Sequence, residues 1–189
     1  MANKIIFFDD LKDIFIRGIG YFSGDSEQNC GSVQVAFNDV FGNENKEWKL
    51  EFYTLKADEC SSDNILHFID AETVETQILN SIKGIDNVFV IMDAYWNESE
   101  AIRGIIINSL MGAQDKIYLC IYSTVSTDKI DEVKNQLEQY KYRKNIRTFM
   151  LDRADSGILY KECKRIFQKL ELIVRDKKLW EENKDLTSK

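Results

Sequence analysis

The chain is expected to fold as an α/β protein: a doubly wound, mainly parallel five-stranded sheet with helices on both faces. Three observations lead there. Four short apolar runs, KIIFF, VFVIM, KIYLCIY and RTFML, each end abruptly in a polar residue. Runs this short and apolar on both faces are what parallel strands buried between helices look like. Through the second half they alternate with helical patterns, the grammar of βαβ units. The 189 residues, 44% apolar and 30% charged, suit one domain with a real core.

Taken in order, KIIFF opens the sheet and runs into Asp9 and Asp10. LKDIFIRGIGYF reads as a helix weakened by Gly18 and Gly20, and SGDSEQNCGS as a loop. VQVAFNDVF and WKLEFYTL fit either a hairpin around FGNENKE or a helix followed by a strand. NILHFID offers a further short strand. The strand beside the first is therefore WKLEFYTL or NILHFID, with the former favoured. AETVETQILNSIKG places Val74, Ile78 and Ile82 on one helical face and stops at Gly84.

After VFVIM comes Asp93, and then a helix over NESEAIRGIIINSLMG. Asn97 is its cap, Glu100 follows three residues later, and Ile102, Ile105, Ile106 and Leu110 form its stripe. KIYLCIY leads into Ser123 and Thr124, and STDKIDEVKNQLEQY forms the next helix through Ile130, Val133 and Leu137. RTFML ends at Asp152. SGILYKECKRIFQKLELIV then carries the stripe Leu159, Cys163, Ile166, Phe167 and Leu170. One domain over 1–175 is expected, with an insertion at about 22–47 and a helical extension or tail over 176–189.

Composition removes several function classes. A net charge of −7 leaves no basic stripe to displace counterions from phosphates, so no nucleic-acid partner is expected. Cys30, Cys60, Cys120 and Cys163 are widely spaced without a CxxC pair, and His67 is the sole histidine, which excludes a structural zinc site. His67 itself reads as structural. MANKIIFFDD is too short in its apolar run for a signal peptide, and no run reaches membrane-spanning length. A reduced, cytoplasmic, soluble protein follows, with no membrane partner. The absence of proline fits a chain without Pro-rich linkers.

Ligands of open parallel sheets sit outside the carboxyl ends of the strands. That edge would collect Asp9, Asp10, Asp93, Ser123, Thr124 and Asp152. Several carboxylates in one pocket raise each other's pKa values unless a cation is present, and Mg²⁺ suits a few carboxylates plus water. Paired acids after the first strand, a lone Asp after VFVIM and a hydroxyl after KIYLCIY resemble the receiver domain of two-component response regulators. The resemblance covers residues 4 to 10 and about 86 to 173. It implies a receiver- or flavodoxin-like fold in which Asp9 and Asp10 hold Mg²⁺ and Asp93 is the phosphoacceptor. It also implies that the backbone carbonyl of Tyr95 is a further metal ligand, and that Ser123 or Thr124 is the switch hydroxyl. The implied partners are a histidine kinase or a downstream effector, with a homodimer as a further possibility.

The chain departs from that pattern at the end of its last strand. FMLDRAD places Asp152 where the family has a phosphate-pairing lysine, and the proline that follows it there is missing. A pseudo-receiver, keeping the fold for protein interaction without phosphorylation, is the alternative. A Mg²⁺-dependent phosphohydrolase is a third reading. The aspartate-nucleophile phosphatases need a second Asp two residues after the first, and Leu11 and Lys12 stand there instead.

Overall fold

Side chains alternate along a strand, which divides the residues of the sheet between two faces. The structure, a computed structural model, describes residues 1–8, 32–42, 46–54, 66–68, 74–93, 117–123, 146–150 and 156–179. Its elements are β1 (Asn3–Phe8), α1 (Ser32–Phe41), β2 (Trp48–Thr54), β3 (Leu66–Phe68) and α2 (Val74–Ile82). Then follow β4 (Asn87–Asp93), β5 (Ile117–Ser123), β6 (Ile146–Met150) and α3 (Ser156–Arg175). All described strands are parallel, in the order β3-β2-β1-β4-β5-β6. The α/β class and the parallel sheet are as expected.

Among the described residues the sheet has six strands, where five were expected. Both WKLEFYTL and NILHFID contribute: the first lies beside β1, and the second adds the three-residue edge strand β3. An edge strand pairs on one side only, so Leu66–Phe68 needs no more than the end of β2, Phe52 to Thr54, as its template.

VQVAFNDVF is a helix, not a hairpin arm. Val33, Ala36, Phe37 and Phe41 are buried at helical spacing, and Gly42 ends the helix at φ +83°, its N–H donating to the Asn38 carbonyl at 2.7 Å. This α1 lies within the stretch 22–47 and packs against α3, Phe37 meeting Phe167 edge-on at 6.0 Å between centroids. The stripe expected for α3 is buried as expected and extends to Ile173. The helical patterns at 11–22, 97–112 and 126–140 and the tail from 180 lie outside the described residues.

Ile5 and Phe7 of β1, Trp48, Leu50 and Phe52 of β2, Phe89 and Ile91 of β4, and Tyr118 and Cys120 of β5 share one core with α1 and α3. A run of stacked rings crosses it: Phe41 on Trp48 at 4.2 Å, Trp48 on Phe89 at 5.9 Å and Phe89 on Tyr118 at 4.8 Å. The intervening residues Lys4, Ile6, Phe8, Val88, Val90 and Met92 are buried as well. They alternate along the strands with the residues of that core, and Ser81 of α2 meets Lys4 and Glu51. No helix among the described residues is long and apolar enough to cross a membrane.

Candidate functional site

The strand order reverses between β1 and β4: the chain leaves β1 for β2 on one side and later returns to β4 on the other. Open parallel sheets bind ligands outside the carboxyl ends of two such strands. What stands at those ends therefore decides the chemistry.

Register aligns them. Phe8, the last residue of β1, is partnered by Met92 of β4, the residue before Asp93. In the sequence Asp9 follows Phe8. Asp93 closes β4 and is partnered by Tyr122, and Ser123 closes β5 one step beyond, partnered by Met150 of β6. The backbone thus brings Asp93 and Ser123 to the same edge, on adjacent strands. Asp9, Asp10, Tyr95, Thr124 and Asp152 lie outside the described residues. Asp9 and Asp152 stand one and two positions beyond the described ends of β1 and β6.

The β1 turn also limits the ligand. Dinucleotide-binding sheets of this strand order place glycines immediately after the first strand, so that the backbone can approach a pyrophosphate. Here two acids stand there, which repel a phosphate and attract a cation. Among the described residues no group of three or more His, Cys, Asp or Glu could hold a metal ion, and the paired acids fall outside that set. His67 lies in the edge strand β3, partnered by Tyr53.

A second polar constellation was not foreseen. Lys4, the second residue of β1, donates to Glu51 Oε1 at 2.6 Å, to the Ser81 carbonyl at 2.6 Å and to Ser81 Oγ at 3.0 Å. Ser81 Oγ donates to Glu51 Oε2 at 2.6 Å, and the Tyr53 hydroxyl donates to the same oxygen at 3.2 Å. Burial, opposed by a Ser81 hydrogen bond and reinforced by the negative charge of Glu51, pushes the Tyr53 phenol above its ordinary value. The three ammonium protons meet three acceptors, the mark of a satisfied structural charge. Tyr53 links this cluster to the carboxyl end of β1, its ring packed on Phe8 at 5.1 Å between centroids. The signal in the sequence was a lone lysine and a lone glutamate, each inside an apolar strand.

A third cluster joins α1 to α3 at the surface. Tyr160 and Lys164 both donate to Asp39, the lysine at 3.1 Å, and Lys164 also reaches the Tyr160 hydroxyl at 2.9 Å. The Tyr160 hydrogen bond first, and the Lys164 hydrogen bond second, hold the Asp39 carboxyl below its ordinary value. These contacts tie α1 to α3.

No family model, no curated protein and no solved structure matches the chain.

Proposed function

We propose that the chain is a receiver-like signalling domain, phosphorylated on Asp93 in a Mg²⁺-binding acidic pocket and acting through partner binding. One observation supports this above the others. Asp93 ends β4 one residue past the Phe8–Met92 pair, on the two strands between which the order reverses. The finer architecture belongs to the same reading: a doubly wound sheet, α1 and α3 on one face and α2 on the other, with β3 as an added edge strand.

The residues fit a hard divalent ion. The donors are the carboxylates of Asp9, Asp10 and Asp93 and the carbonyl of Tyr95, oxygen throughout, and the ends of β1 and β4 lie side by side. Bound there, Mg²⁺ would neutralise charge on the equatorial oxygens of a phosphoryl group. The chain's own step is nucleophilic. A carboxylate oxygen of Asp93 attacks the phosphorus of an acyl phosphate, the bond from phosphorus to the acyl oxygen breaks, and the carboxylate leaving group departs with the electron pair. Ser123 or Thr124 then donates a hydrogen bond to the new phosphoryl group, a local change that can bias a partner surface. The partner is a phosphodonor kinase, an effector or a second copy of the chain, in the cytoplasm and without nucleic acid.

Asp152 favours a second reading, the pseudo-receiver. An acid two positions past the end of β6 strengthens attraction for a metal but opposes a bound phosphate. The test is intact-mass measurement after incubation with Mg²⁺ and acetyl phosphate. One phosphoryl adduct on the wild type and none on Asp93→Asn is the expected result. No adduct on the wild type sinks the phosphoacceptor reading and leaves the interaction module. Turnover of a phosphate ester would point to a phosphohydrolase instead.

A further inference from the structure

Helix α2 is short, and isolated helices of nine residues do not persist in water. Its hold on the sheet is therefore tertiary. Among its described side chains Ile78 and Ile82 are buried, whereas Glu75, Thr76, Leu79 and Asn80 are exposed. A further tie is Ser81, in the last turn. Its carbonyl, one of the acceptors a helix end leaves without an intrahelical partner, is capped by the ammonium of Lys4 from β1. Its hydroxyl donates to Glu51 of β2 and accepts from Lys4.

A buried cation on one strand and a buried acid on the next thus converge on one turn of one helix. Lys at a helix C-terminus complements the dipole and supplies donors to the last carbonyls. Here the lysine comes from another element, so the cap exists only while the helix is docked. Tyr53 completes the cluster, donating to the glutamate oxygen that Ser81 uses and packing on Phe8.

We propose that the Lys4–Glu51–Ser81 cluster is a polar latch for α2. It makes α2 a unit that opens while the sheet stays closed, and Tyr53 connects the latch to the carboxyl end of β1 and β2. The inference stands apart from the phosphoacceptor reading. Residues 3–8 of β1 and 87–92 of β4 are all buried, which sets them at the high-stability end of the molecule. The helix, docked through one short stripe and one polar turn, sits at the low end.

Hydrogen exchange of the full chain, followed by mass spectrometry, tests this. In the wild type, amides of 74–82 are expected to exchange through an opening that leaves 3–8 and 87–92 protected. Ser81→Ala is the informative variant because alanine is the better helix former. Loss of a hydroxyl bonded to two charged groups should nevertheless speed exchange in α2 about tenfold, with the strands unchanged. Tyr53→Phe, which removes a hydroxyl bonded to Glu51 and to Ser81, should speed α2 exchange in the same direction. Asn80→Ala, on the exposed side of the same turn, should not. The proposal is overturned if α2 exchanges in step with β1 and β4. It is equally overturned if Ser81→Ala or Tyr53→Phe leaves α2 unchanged, or if Asn80→Ala opens it as much as Ser81→Ala.

Discussion

Replacing Lys4 by methionine is expected to cost the fold about 3 kcal/mol, although methionine is the more apolar side chain. Lys4 and Glu51 form an ion pair at 2.6 Å with side chains 6% and 18% exposed. Breaking a buried pair by removing one partner costs roughly 3–5 kcal/mol, because the other charge is left uncompensated. The lower end applies here. Glu51 keeps donors from Ser81 and Tyr53 and some access to water, and methionine fills most of the volume of the lysine stem. For a chain of this length each kcal/mol moves the melting temperature by about 2–4 °C, so the melt should fall by about 6–12 °C.

The double variant Lys4→Met/Glu51→Met separates this account from a plain loss of packing. With both charges gone no carboxylate is stranded, and at least half of the lost stability should return. Thermal melts followed by circular dichroism at neutral pH, on both single variants and the double, give the coupling directly. A loss below about 1 kcal/mol for Lys4→Met would refute the reasoning. So would a double variant as unstable as the sum of the singles, since that additivity means the two side chains do not act on each other.

Three further outcomes follow from the same structure. Phe167→Ala, fully buried between Phe37 and Phe41, should cost about 3–5 kcal/mol in urea unfolding, whereas Leu172→Ala on the exposed side of α3 should stay within about 1 kcal/mol. Cys120 and Cys163 should resist alkylation in the native protein and react in urea, scored by peptide mass; both are buried, and burial raises the Cys163 thiol well above its ordinary value. Native labelling of Cys163 would contradict the packing of α3. Asp39 is held below 3.8 by Tyr160 and then Lys164, so its contribution is full above that value and is lost as the pH falls through the folded-state value. The stability gap between wild type and Asp39→Asn should accordingly be open at pH 7 and close in acid; a gap independent of pH would exclude the hydrogen-bonded carboxylate.

How much could be read from residues alone depended on whether the signal was local. β1, β4, β5, β6, α2 and α3 each carry their periodicity within one window, and each forms where that periodicity lies. In α1 two periods overlap. Val33, Val35 and Phe37 alternate like a strand, while Val33, Ala36, Phe37, Val40 and Phe41 repeat like a helix, and packing on α3 decides for the helix. β3 is too short to carry a pattern, and its partner Phe52–Thr54 supplies the order. The strand-end positions of Asp93 and Ser123 were legible because a polar residue closing an apolar run is a local event. The Lys4–Glu51 pair was not, since forty-seven positions separate the two. They become diagonal neighbours only because Lys4 stands opposite Lys49, and Glu51 two residues further along, once β2 is known to lie beside β1.

The candidate site then rests on register, and register is secured at the other end of the sheet. Asn3 and Asn87 are partners across β1 and β4, both 2% exposed, and the Asn87 amide donates to the Asn3 side-chain oxygen at 2.8 Å. A slip of one residue would separate them and leave two buried amides unpaired, at a cost of about 1–3 kcal/mol each. It would also turn the side chains of β4 to the opposite faces, between cores that are both closed. Apolar strands alone would tolerate such a slip better, because Ile5 and Ile6, or Phe89 and Val90, fill either face. The asparagine pair removes that freedom. Five steps from Asn3 to Phe8 and five from Asn87 to Met92 carry that register to the pair that precedes Asp93. The polar pair at one end of the two strands thus fixes which residues face each other at the other end, Phe8 and Met92, after which the sequence sets Asp9 and Asp93.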